Sequence, residues 1–495
     1  MLKTILISFL LIISVNAYVQ EKKLINQDHN LNKAINIFKK DIDLKNASLG
    51  FLAIDIKTGE IVAELNPDLS RMPASTQKII STATALEVLG KNFRFTTKLN
   101  YSGNIDTVKK VLNGDIYIQG GADPTLGSKY FDKNYIFIKE WVKAIKDHKI
   151  ETINGRIIAD ASFYGTEINS PKWLWEDIGN YYGAGANGLS AFDNMYEIHF
   201  QTPNEPDLLT SIIKVEPEIP GLQIINEVRS SEINSDKAYV FGAPYTNLHI
   251  IRGTLPKSKS DYVIEGAIPD PAYYLSWYFE KQLRNEGISI SGEATTDRLI
   301  KFKGDSICFV RKDLHIKFSP GLKSIIEVTN KKSNNLFAEH MFNQIAYKLK
   351  NKWANNYAIE AIVDFWKQRG MDTDGFLIYD GSGLSPYNAI TPRQMVFVLN
   401  YMATKSNNFN EFYESLPVAG ESGTLSTVGK NTSAEGAVHA KSGKFTKVMA
   451  YSGYANTKSG RKLAFSMSIA YYNCSSSEAK EKLVKLMVAM ADFDL

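Results

Sequence analysis

Apolar positions along this chain change period several times, and each change predicts an element. Leu31 to Lys40 carries its apolar residues at helical spacing and predicts a short amphipathic helix. Two β-rich apolar runs follow, LGFLAIDI and IVAEL, separated by KTGE, which reads as a hairpin with Gly59 in the turn. From Ser75 the spacing is helical again, with Ile79, Ile80, Ala83, Leu86 and Leu89 on one side until Gly90 ends the run. Near the other end, AVHAKSGKF, KVMAYSGYA and KLAFSMSIAYY read as three strands, with NTKSG as the turn between the last two. SSSEAKEKLVKLMVAMADF then reads as a capped amphipathic helix opening at Ser475 to Ser477. Two strands from one end and three from the other complete one five-stranded antiparallel sheet, flanked by the first and last helices.

Between these ends the pattern is different. Residues 100–295 hold short β-like runs such as GDIYIQG, GRIIAD and DYVIEGAIP, many loops, and most of the tryptophans. A long insertion costs little closure entropy, because that cost grows only logarithmically with loop length. The expected organisation is therefore a domain of mixed α and β made from 18–99 and 296–495, with 100–295 inserted as a β-rich module of one or two subdomains. At 495 residues, two or three units is also the expected number. Residues 1–17 stand apart: Lys3 gives a positive start, Ile5 to Val15 an apolar run, and Val15-Asn16-Ala17 a small-residue cleavage pattern. That reads as a signal peptide, too short to span a bilayer, and it predicts an exported protein with at most peripheral membrane association.

Composition narrows the chemistry. A net charge of +4 is too small an excess to imply a nucleic-acid partner. Two cysteines, Cys308 and Cys474, do not make a disulfide scaffold, and pairing or two separate thiols both remain open for them. Seven histidines without HExxH or His-x-His spacing give no metal site, and no cofactor is called for.

The stretch PASTQKIIST places Ser75 and Lys78 three residues apart at the predicted helix start. On a helix such residues share a face, so the lysine amine reaches the serine hydroxyl. A buried lysine has a lowered pKa and becomes able to accept the hydroxyl proton. Ser-x-x-Lys also occurs at Ser211, Ser459 and Ser477, where a strand, a hairpin turn and a capped helix start explain it. Ser-x-x-Lys accompanied by Ser-x-Asn and Lys-Thr-Gly is the set used by penicillin-binding proteins and β-lactamases. Ser-x-Asn occurs at Ser333-Asn334-Asn335, ahead of a helical pattern, and again at Ser406 to Asn408 in a polar loop; the first is favoured. Lys57-Thr58-Gly59 is a literal match, but it lies in the hairpin turn ahead of the serine, and Lys458-Ser459-Gly460 is another turn. Lys441-Ser442-Gly443 lies within a strand pattern and in the right order along the chain. Asp380 and Ser382 in DGSGLS read as turn residues beside the site, and Asp123 in GADPTL likewise.

With these triplets in place the chain resembles the exported D-alanyl-D-alanine carboxypeptidases and endopeptidases of the penicillin-binding protein 4 type, the S13 peptidases. GGADPTL, YYGAGANGLSAFDN, SNNLFAEH, YDGSGLSPYN and LPVAGESGTL are similar to that family's segments, come in its order and span most of the chain. The resemblance implies a transpeptidase/β-lactamase-like domain formed by both chain ends. It implies Ser75 as nucleophile, Lys78 as its base, and Ser333 with Lys441 as the proton relay to the leaving amine. It further implies Asn335 on the substrate amide, Lys441, Ser442 and Gly443 along the substrate, and backbone N–H groups of Ser75 and Lys444 as the oxyanion hole. Peptidoglycan stem peptides are the implied substrate, β-lactams the implied covalent inhibitors, and the periplasm the implied location. Two departures stand out: Lys441-Ser442-Gly443-Lys444 replaces the usual Lys-Thr-Gly-Thr, and STVGK replaces an arginine that often follows Gly-Thr-Leu. The rival expectations are a β-lactamase on the same fold and a wall-binding protein with little turnover.

Overall fold

The computed structural model describes residues 30–132 and 135–494. The signal-peptide reading of residues 1–17 lies outside the described residues. Helix α1 (Asn30–Lys40) is followed by strands β1 (Ser48–Asp55) and β2 (Ile61–Leu65), and then by helix α2 (Lys78–Leu89). Later in the chain come helices α3 (Asn335–Lys350) and α4 (Pro392–Lys405), strands β3 (Val438–Phe445), β4 (Val448–Asn456) and β5 (Lys462–Ala470), and helix α5 (Ser476–Ala491).

The five strands form one sheet in the order β3-β4-β5-β1-β2, antiparallel throughout. β5 is joined to β1 along its whole length, from Ser48 opposite Ala470 to Asp55 opposite Leu463, so the two ends of the chain close one sheet. Strands β1, β4 and β5 are buried on both faces, which explains their nearly continuous apolar runs. One face packs Phe51, Ala53 and Phe465 against Leu31, Ile35 and Phe38 of α1 and Leu483, Leu486 and Met487 of α5. The other packs Leu52, Ile54 and Ala464 against a helical layer containing Ile79, Ile80 and Ala83 of α2 and Met395, Val398 and Leu399 of α4. A Ser475–Glu478 capping box starts α5, as the serine run predicts.

Among the described residues, the segment after α2 builds four further sheets. Thr295–Thr296, Ile157–Asp160, Ile116–Gln119, Thr96–Tyr101 and Lys312–Phe318 form a five-stranded sheet in that order, and a four-stranded sheet lies in the same part of the chain. Two three-stranded sheets are made from strands between Met195 and Ala267. One apolar cluster runs from Leu99 to Ile290 and joins these pieces, with Trp141 and Phe279 at its centre, 5.5 Å apart between ring centroids. Helices Ile136–Asp147 and Pro271–Asn285 supply much of that cluster. The expected β-rich character holds for the strands, and these two helices are an addition to it. Lys312–Phe318 pairs with Thr96–Tyr101, so the sheet of this layer draws on residues on both sides of the expected limits at 100 and 295.

Cys308 is exposed, Cys474 is half-buried, and both are free thiols. No helix among the described residues is long and apolar enough to cross a membrane.

Candidate active site

Ser75 does not open the α-helix itself. It sits in a 3-10 turn, Ala74–Gln77, and α2 begins at Lys78. The turn follows Pro73 and requires φ of 46° at Ala74, in the left-handed region. This geometry sets Ser75 against the edge strand β3. A Cβ placed on Gly443 would lie 2.5 Å from the Pro73 carbonyl oxygen and 3.0 Å from the backbone nitrogens of Ser75 and Thr76, so only glycine permits the approach.

Lys78 is fully buried beneath the serine. Its ammonium nitrogen donates to Ser75 Oγ at 3.1 Å, to Asn335 Oδ1 at 2.6 Å and to the Ser382 carbonyl at 2.6 Å. Burial pulls its pKa down from 10.5 to about 7, outweighing the opposing pull of the Asp380 and Glu339 carboxylates. Near neutral pH this amine is thus able to hold or take a proton at hydrogen-bond distance from a serine hydroxyl.

A second serine–lysine pair stands beside the first. Lys441 Nζ donates to Ser333 Oγ at 3.0 Å and to the Ser442 carbonyl at 2.8 Å. Lys441 is also fully buried, and burial together with the Lys78 charge pushes its pKa well below the usual lysine value. Ser333 takes φ of 56° just before Asn334 caps α3 by accepting from Phe337 N. Asn335, the first residue of that helix, bridges outward: its Oδ1 accepts from Lys78 while its Nδ2 donates to the Tyr182 carbonyl at 2.7 Å. On β3, Ser442 Oγ donates to Thr424 Oγ1 at 2.8 Å. Ser75, Lys78, Ser333, Asn335, Lys441, Ser442, Gly443 and Lys444, read separately from the sequence, therefore converge on one locality. Ser75, Ser333, Asn335 and Lys444 line a cleft of about 830 Å³, and its far wall includes Lys129, Tyr181 and Tyr239 of the inserted layer.

The alternative motif positions lie elsewhere in function. Ser406 and Asn408 both donate to Glu87 near the end of α2, and Lys57 to Gly59 form the turn between β1 and β2. The DGSG loop is a turn, as expected, and more. Asp380 accepts from Gly383 N, Ser385 N, Asn388 Nδ2 and Trp173 Nε1, which fixes the loop so that the Ser382 carbonyl reaches Lys78. Asp123 bonds Thr125 within its own turn, again as the sequence predicts.

Glu339 was not singled out from the sequence. Its buried carboxylate accepts from Gly381 N and Ser382 N at 2.7 to 3.1 Å, clamping the loop from α3. Burial and the neighbouring Asp380 charge push its pKa above the usual carboxylate range. Its signal was present: it lies four residues after Asn335 and so on the same helical face. Tyr182, which meets Asn335 through a backbone carbonyl, has no side-chain signature to find.

Two Ser–Lys pairs, each with a buried lysine and a half-buried serine, thus meet beside the edge strand of a five-stranded sheet in a domain of mixed sheet and helix. The fold is that of a solved penicillin-binding protein 4 (dacB) from Haemophilus influenzae, with a TM-score of 0.76 at 24% identity over 89% of this chain and 95% of that one. The D-Ala-D-Ala carboxypeptidase 3 (S13) family model matches residues 31–492, and the chain belongs to that family. Among its relatives, the D-alanyl-D-alanine carboxypeptidase DacB of Haemophilus influenzae is 25% identical over 459 residues, covering 89% of each chain. A D-alanyl-D-alanine carboxypeptidase of Actinomadura sp. (strain R39) is 27% identical over 450 residues, covering 88% of this chain and 80% of the relative.

Proposed function

We propose that this chain is a penicillin-binding serine D-Ala-D-Ala carboxypeptidase, D-alanyl endopeptidase, or both, acting on peptidoglycan stem peptides. The observation that carries the reading is the contact between Ser75 Oγ and the buried Lys78 amine, with a second buried lysine, Lys441, holding Ser333 alongside. Family membership and the two relatives named carboxypeptidases support the same substrate class.

Neutral Lys78 takes the Ser75 proton as Oγ attacks the carbonyl carbon of the penultimate D-alanine. Backbone N–H groups of Ser75 and Lys444 receive the charge that develops on the carbonyl oxygen, where one such donor typically contributes about 2.7–4 kcal/mol. The C–N bond then breaks as Ser333 gives its hydroxyl proton to the leaving amine and is reprotonated by Lys441, while the proton that Lys78 took from Ser75 passes to Lys441, so that both lysines and Ser333 end as they began. Lys441 and Ser442 hold the leaving group's carboxylate, Gly443 lets the peptide lie close to β3, and Asn335 holds the substrate amide. Water attacks the acyl-enzyme, releases the shortened peptide and returns the proton to Ser75. A β-lactam enters the same course by presenting a strained amide in place of the peptide. No step calls for a metal or an organic cofactor.

Export by the N-terminal segment to the periplasm belongs to this reading. So does the division into a catalytic domain, 18–99 and 296–495, and an inserted module, 100–295. The pairing of Thr96–Tyr101 with Lys312–Phe318 supports widening the inserted module a few residues before 100 and about twenty beyond 295. Contacts from Tyr182 to Asn335, Trp173 to Asp380 and Ser190 to His340 support a role for the module in bracing the site. The test is release of free D-alanine from an acyl-D-Ala-D-Ala peptide by the wild type and by Ser75→Ala. The reading expects release by the first and none by the second; equal release by both refutes it.

A further inference from the structure

A second hollow of about 400 Å³ lies against β3 at Ser442, Gly443 and Lys444, lined by hydroxyl-bearing residues that include Thr424, Thr427 and Ser442. Lys444 and Lys480 enter its wall from β3 and α5, and no Asp or Glu lines it. Among the described residues, neither ammonium is recorded with a hydrogen bond or ion pair, although most other lysines nearby have one: Lys447 reaches the Cys474 carbonyl and Lys482 reaches Asp41. The one acidic residue in the first turn of α5, Glu478, is turned away to accept from Ser475 N. Two like charges facing one polar hollow without a counter-charge repel each other, and a bound anion relieves that repulsion. The hollow adjoins the catalytic cleft, since Lys444 and Ser476 line both.

Its position gives the anion an identity, on the proposed reading that Lys441 and Ser442 hold the leaving group's α-carboxylate. Ser442 shares the wall of this hollow with Lys444 and Lys480, so a residue anchored at Ser442 has the hollow beside it to receive its side chain. The methyl group of D-alanine fills little of the hollow; a chain of several carbons ending in a carboxylate reaches the two ammoniums. We propose that this pocket selects leaving residues that carry a second carboxylate on their side chain, and that Lys444 and Lys480 are its specificity-determining residues. The departure from Lys-Thr-Gly-Thr at position 444 then acts on the leaving-group side of the substrate.

The experiment compares kcat/KM for acyl-D-Ala-D-glutamate and acyl-D-Ala-D-glutamine, which differ by one charge, with acyl-D-Ala-D-Ala alongside. The wild type is expected to prefer glutamate about tenfold, the scale of one charge-assisted contact. In Lys480→Gln that preference falls toward one while D-Ala-D-Ala cleavage is unchanged, and in Lys444→Thr the preference also falls. Cleavage of D-Ala-D-Ala with no glutamate preference in the wild type overturns the pocket and leaves the proposed function standing. A preference that survives both variants overturns it equally. Failure of the wild type to cut any of the three overturns the proposed function and this assignment with it.

Discussion

If the buried Lys78 amine is the base, acylation must follow its ionisation. At a pKa of about 7 roughly half of the amine is neutral at pH 7, whereas at the ordinary 10.5 only about 0.03% would be. The difference is about three orders of magnitude in competent enzyme, or about 4 kcal/mol, and burial supplies it. The second-order rate of acylation by a fluorescent penicillin, measured from about pH 5 to pH 9, should rise through a midpoint near 7 and then level off. Below the midpoint the rate should fall about tenfold per pH unit. Because Lys441 lies beside Lys78, the midpoint belongs to the pair of lysines together. The same burial has a stability consequence of definite sign. A lysine whose folded pKa lies below its unfolded one costs stability in full below about pH 7, and that cost is relieved as pH rises toward 10.5. A rate still climbing tenfold per unit at pH 9 would show an unperturbed amine and refute Lys78 as the base. A rate independent of pH would do so as well.

Other substitutions test the surroundings. In Gly443→Ala, the added methyl would stand 2.5 Å from the Pro73 carbonyl and must displace either β3 or the Ser75 turn. A shift of the order of 1 Å at a reacting group costs about a hundredfold in rate, so acylation should fall by that much with the far-ultraviolet circular dichroism unchanged; wild-type acylation would refute the close approach. Arg311 is 7% exposed, pairs with Asp160 at 2.7 Å and lies 3.8 Å from the Tyr117 ring centroid. Arg311→Ala leaves a buried carboxylate unpaired and should cost about 3–5 kcal/mol, read as a lower urea midpoint for the inserted layer. An unchanged midpoint would show that Asp160 is solvated there.

The residues that carry the chemistry were legible because each sits in a short pattern with local meaning. Ser75 and Lys78 share a helical turn, Ser333 precedes a cap, and Lys441 lies in an alternating strand. The five-stranded sheet was legible because β1, β4 and β5 are buried on both faces and so read as unbroken apolar runs. What tertiary structure alone decides was hidden. Lys78 meets Asn335 and Ser382 across 257 and 304 residues of chain, and neither partner signals the other locally. The clamp of Glu339 on Gly381 and Ser382 joins a helix side chain to two backbone groups of a distant loop. The edge strand Lys312–Phe318 is half-exposed along its length, so its apolar pattern is too weak to announce the pairing with Thr96–Tyr101. Left-handed backbone at Ala74 and Ser333 is equally invisible in residue type, since neither is glycine.

The most direct measurement is the intact mass of the protein after incubation with benzylpenicillin, followed by peptide mapping, for the wild type and Ser75→Ala. The account predicts one penicilloyl adduct per chain on the peptide containing Ser75, and none on the variant. An adduct on another residue, an adduct that persists in Ser75→Ala, or a wild type that neither forms an adduct nor consumes penicillin would contradict it.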